Sequence, residues 1–184
     1  EMENNRDVLQ EFSKLGTDAN AYTSFYQTTY LFSTAAEVLP SLALLQEFLR
    51  EVSFTEESVE REKAIIAQEI EMYQDEPDSR LYNEILASLY PGSPLQDDIA
   101  GNVASIQDIT VQSLKENFEA FYHPQNMTLF LVGNFELEDV WKGIQEQQTT
   151  DLSQPVLIEH QPLANHPVLP HGTSQMEVAS PKLA

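Results

Sequence analysis

Cysteine is absent from the 184 residues. Disulfides and thiolate metal sites are therefore excluded, and a reducing, cytoplasmic setting fits. Basic residues are scarce: 9 Lys and Arg stand against 30 Asp and Glu, a formal net charge of −21. Such a surface repels phosphate backbones, so no nucleic acid partner is expected. It attracts basic peptides or metal cations, or it simply keeps the chain soluble. No apolar run reaches the ~18 residues of a membrane helix, and no basic segment followed by an apolar one marks a secretory signal. A membrane partner is not expected either. What is present is 41% apolar residues, enough for an ordinary core. The length suits one domain, or one domain and a piece of the next. The chain opens on EMENNRDVLQ without an initiator Met and stops at SPKLA, just after an apolar-alternating stretch. A fragment of a longer protein is the expectation.

Periodicity organises the rest. Arg6 to Leu15 places Val8, Leu9, Phe12 and Leu15 on one helical face, and Gly16 suits the stop. Asn20 to Thr34 is rich in Thr, Tyr and Phe in near alternation, which predicts two strands or a hairpin. Ala36 to Val52 carries Leu39, Leu42, Leu45, Phe48 and Leu49 on one face, with Pro40 in the tolerant first turn. Ser53 or Thr55 caps a long helix that ends near Pro77. Helices are predicted over Asp78 to Tyr90, Thr110 to Tyr122 and Phe135 to Gln148. A Gly- and Pro-containing loop covers Tyr90 to Asn102. The run MTLFLV, Met127 to Val132, reads as a buried strand. Five of the ten prolines lie in 151–184. The domain is therefore expected over 1–149, with 150–184 a linker and the start of a further segment. Helices between and after antiparallel-type strands predict an α+β, two-layer domain, an antiparallel-type sheet covered by helices.

The long helix, EREKAIIAQEIEMYQDEP (Glu60 to Pro77), has an odd face. With Glu62 at zero and about 100° per residue, Ile66 lies near 40°, Tyr73 near 20°, Val59 near 60° and Glu69 near −20°. Glu62 and Glu69 thus fall inside the apolar stripe, whereas Glu60, Lys63, Ala67 and Glu71 fall outside it. A buried carboxylate finds a cation, shifts its protonation or binds a metal. Three readings stay open on geometry: an ion pair to Arg80 or Lys115, a wet edge of the stripe, or a metal.

Five stretches in order resemble the insulinase/pitrilysin family of zinc metallopeptidases, the inverzincins. They are LGTDANAYTS (Leu15 to Ser24), the leucine-rich helix, the Glu60 to Pro77 helix, YPGSPLQDDIAG, and FYHPQNMTLFLVGNF (Phe121 to Phe135). The resemblance spans about residues 5 to 145 and implies the family's fold. It implies a zinc cofactor held by the histidines of His-x-x-Glu-His and by a glutamate further on. Residue by residue, that metal ligand is Glu69, and Glu62 is a supporting carboxylate of the catalytic site. Asn20, Ala21, Tyr22 and Thr23 match the family's edge strand, where a peptide substrate adds by its backbone; an ordinary strand is the plain alternative.

His-x-x-Glu-His does not occur in this sequence. His123 sits in a turn before the expected strand and reads as structural or solvent-facing. His166 and His171 are separated by prolines that prevent a shared helical face. The resemblance therefore implies part of a zinc-dependent metallopeptidase of extended or unfolded peptides, inactive as given and in need of a homologous partner half or subunit. The alternatives are a non-catalytic paralogue that pairs with an active homologue, and a plain acidic binding module.

Overall fold

The computed structural model describes residues 7–50, 52–147, 173 and 175–176. Those residues form α1 (Val8–Lys14), a hairpin of β1 (Asp18–Thr23) and β2 (Thr28–Ser33), α2 (Val38–Arg50), α3 (Glu56–Gln74) and α4 (Pro77–Leu89). Then come α5 (Val103–Gln107), α6 (Val111–Phe121) and α7 (Leu137–Gln147). The class is α+β, as the sequence predicts. These elements divide into two compact units. One holds α1, the hairpin strands, α2, α6 and α7; the other holds α3, α4 and α5.

In the first unit α1 starts and stops for local reasons. The Asp7 carboxylate accepts from the Leu9 amide at 2.9 Å, which caps α1. Gly16 then turns at φ +64°, a left-handed conformation that releases the chain toward β1. The strands are antiparallel, with Ala19 opposite Phe32 and Ala21 opposite Tyr30. Alternation decides the faces: Tyr30 and Phe32 turn inward, and Leu31 turns outward. Phe12, 2% exposed, joins Leu44 and Leu45 of α2 in the core and stacks on Phe32 with ring centres 6.1 Å apart. Beside it the buried hydroxyls of Thr17 and Ser41 are 2.8 Å apart, so the start of the hairpin is tied to α2 by a satisfied polar pair. At the far end of α2 the Arg50 guanidinium donates to the Gln147 carbonyl and side-chain oxygen of α7.

Met127 to Val132 corrects the sequence reading. It follows a short 3-10 turn at Pro124–Asn126 and is neither strand nor buried: Phe130 is 85% exposed and Val132 99%. A strand needs a neighbour's backbone as well as apolar side chains, and no described segment pairs with this one.

In the second unit, α4 begins on Pro77, which occupies the first turn without losing a hydrogen bond. Leu81, Ile85 and Leu89, expected on its apolar face, are all exposed. Helix α5 was not expected. Asn102 and Ser105 exchange side-chain to backbone hydrogen bonds at 2.9 Å in both directions and so start a five-residue helix. The linker expected over 150–184 and the His166 and His171 pair lie outside the described residues, apart from three isolated positions.

Candidate functional site

Helix α3 carries both predicted carboxylates, and the structure turns them the other way. The buried positions are Val59, Lys63 and Ile70, with Ile66 and Ala67 half-buried. Glu62 and Glu69 are exposed, as are Glu60 and Glu71. The inward facing of Glu62 and Glu69, and the outward facing of Lys63 and Ala67, are therefore corrected. Lys63 lies in the buried stripe, its side chain only 11% exposed. Its ammonium donates to the Glu60 carboxylate at 2.8 Å and to the Gln107 carbonyl at the end of α5 at 3.2 Å. The stem is packed and the charge is satisfied, so a residue that reads as polar takes the centre of the buried stripe.

Two turns of helix separate Glu62 from Glu69, about 10 Å along the axis. Ile65, Met72 and Tyr73 beside them are exposed as well. Neither acid forms an ion pair with Arg80 or Lys115 among the described residues, and that reading lapses. The wet edge is what the structure shows: two solvated carboxylates on a partly apolar, outward surface. They do not form a zinc centre by themselves. Catalytic zinc takes three protein ligands, and among the described residues no group of three His, Asp or Glu side chains is arranged to hold a metal. No step through zinc follows from these residues alone.

The predicted substrate edge is β1. Asn20, Ala21, Tyr22 and Thr23 are all exposed, and among the described residues β1 pairs only with β2. The Ala21 amide donates to the Asn20 side-chain oxygen at 2.8 Å, which occupies one edge donor locally. His123 is buried at the start of the 3-10 turn, where its Nδ1 accepts from the Gln125 amide at 3.2 Å. That is the structural role the sequence suggests.

Two features escaped the sequence reading. One is Lys63, although its spacing gave a signal: Val59, Lys63, Ile66 and Ile70 step by 4, 3 and 4, the rhythm of a packed helix face. The other is a cavity of about 240 Å³ in the first unit. Tyr30, Phe48, Phe54 and Phe118 are among the residues that line it.

Helices laid against an antiparallel hairpin are an arrangement this chain shares with solved M16-like peptidases. It is similar to the M16-like peptidase from Alicyclobacillus acidocaldarius, at 38% identity and a TM-score of 0.79 over 83% of this chain and 36% of that one. A protease from Helicobacter pylori shares the fold, at 22% identity and a TM-score of 0.75 over 91% of this chain and 41% of that one. The family model described as insulinase (peptidase family M16) matches residues 1–103, and the one described as peptidase M16 inactive domain matches 108–179. The chain belongs to the insulinase family, peptidase family M16. In sequence it is 49% identical over 142 residues to the uncharacterized zinc protease YmfH of Bacillus subtilis, which is 77% of this chain and 33% of that protein. It thus spans about a third of the length of such relatives. No helix among the described residues is long and apolar enough to cross a membrane.

Proposed function

We propose that this chain is part of a zinc-dependent metallopeptidase acting on extended or unfolded peptides. In this reading Glu69 supplies one zinc ligand, Glu62 supports it, and the Asn20–Thr23 edge takes the peptide backbone. The observation that carries the reading is the pair of solvated carboxylates two turns apart on α3, without an ion partner among the described residues, in a chain 49% identical over 142 residues to a protein named as a zinc protease. Solvated carboxylates are free to reach a metal held partly by other residues. Among the described residues β1 pairs only with β2, which leaves its other edge to strand addition apart from the Ala21 amide. The histidines and the second half would come from a longer protein or a homologous partner, over a domain spanning 1–149. A cytoplasmic location fits the absence of cysteine.

The test joins this chain to a His-x-x-Glu-His segment and a homologous second half. Glu69→Gln then lowers zinc affinity and peptide hydrolysis sharply. Glu62→Gln costs roughly 10- to 100-fold, the usual range for a supporting group. Glu71→Gln changes little. Equal losses at Glu69 and Glu71 would remove the assignment. The 184-residue chain alone is expected to lack peptidase activity and to bind zinc weakly, and near-stoichiometric zinc after purification would contradict that. A second reading, a non-catalytic subunit paired with an active homologue, draws support from the match of residues 108–179 to the inactive-domain model. Wild-type hydrolysis in the joined protein rejects it.

A further inference from the structure

The roll of α3 about its own axis is set against its hydrophobic pattern. With Glu62 at zero, Val59, Ile65, Ile66, Ile70, Met72 and Tyr73 have a mean direction of about 20°, at about 100° per residue. The positions that are actually buried, Val59, Lys63 and Ile70, centre on about 80° by the same measure. The helix is therefore turned by about 60° from where its apolar side chains alone would place it, and Ile65, Met72 and Tyr73 are left exposed. Glu62 and Glu69 lie almost along the apolar mean, so the unrolled helix would carry them toward the interior.

We propose that Lys63 is the positioning residue of the Glu62–Glu69 pair. Its ammonium is held by the carbonyl of Gln107 at the end of α5 and by the Glu60 carboxylate. A charged donor bonded to a backbone carbonyl is worth more than a neutral one, and the bond is lost if the helix rolls. That latch fixes position 63 inward and so position 69 outward. Solvation of the two acids acts in the same direction, but it fixes no angle. The functional meaning of this outward setting rests on the reading of Glu69 as a metal ligand; the roll itself does not.

The absence of cysteine makes the roll measurable in the 184-residue chain. Single thiols are introduced by Glu69→Cys and, as a control on the opposite side, Glu71→Cys, and their alkylation rates by a maleimide are compared with and without Lys63→Ala. Removal of the latch slows the thiol at 69 by about tenfold, because burial lowers thiolate formation and access. The thiol at 71 keeps its rate, and Lys63→Arg, which restores a cationic donor, returns the rate at 69. An unchanged rate at 69 overturns the proposal. A rise at both positions marks a loosened fold, makes Lys63 a structural residue only, and overturns it too. If the thiol at 69 slows as expected while Glu69→Gln leaves zinc binding of the joined protein intact, the roll stands and the metal-ligand reading fails.

Discussion

Tyr30 on β2 and Tyr122 just beyond α6 bring their hydroxyls within 2.5 Å, each ring also packed on a further aromatic. Burial pushes the Tyr30 phenol well above its ordinary range, and the hydrogen bond and charge interaction with Tyr122 add to the rise. A raised folded value means that this stability is complete below the unfolded value, about pH 10, and is lost as pH climbs above it. Thermal midpoints followed from pH 9 to 11, about one unit either side of the free phenol, should fall, and should fall less steeply in Tyr30→Phe. A parallel slope in the two proteins would remove Tyr30 from the account. Gly16 offers a second test at this scale. A Cβ there would meet nothing within 4 Å, yet φ is +64°. Gly16→Ala should therefore cost about 1–2 kcal/mol in urea unfolding, through backbone strain alone.

At the scale of elements, α1 enters the first unit's core with the Phe12 ring, and Val8 packs beside it. Phe12→Ala removes the stack on Phe32 and the contact with Leu44 and Leu45, and should cost about 3–5 kcal/mol by chemical denaturation. The sequence made most of these elements legible, for identifiable reasons. The apolar spacing of Val8, Leu9 and Phe12 with Gly16 behind them marks both the length and the end of α1. Thr and aromatic residues in alternation mark the hairpin. Helix α5 was missed because five residues carry too little periodicity, although Asn102 three before Ser105 was a readable start signal. The facing of α3 was misread because its apolar residues cover a broad arc. Within such an arc the burial direction is decided by a tertiary partner, the Gln107 carbonyl, and local spacing carries no information about that carbonyl.

At the scale of the whole molecule, the candidate site divides in the same way. Residue types in order made Glu62, Glu69 and Asn20–Thr23 legible as candidates; where they face depended on packing that no window of sequence contains. Met127 to Val132 shows the same limit: composition announces a strand, but pairing needs a second chain segment. Its exposed side chains make a sticky surface on a chain of net charge −21. Like-charge repulsion should keep copies apart at low ionic strength, and screening should let them associate as the Debye length falls from about 30 Å at 0.01 M to about 3 Å at 1 M salt. Sedimentation velocity across that range should show salt-promoted association that Phe130→Lys with Val132→Thr suppresses. A salt-independent monomer would show that the exposed run does not mediate contacts.

The clasp between Arg50 and Gln147 has a consequence for synthesis. Its two partners are 97 positions apart, with α3, α4 and α5 encoded between them. At about 5–20 residues per second, α2 waits roughly 5–20 s on the ribosome before α7 has been made. Meanwhile α3, α4 and α5, in which α3 contacts both of the others, emerge in one uninterrupted stretch. The clasp at the end of α2 is thus completed only after the whole middle of the chain has been made.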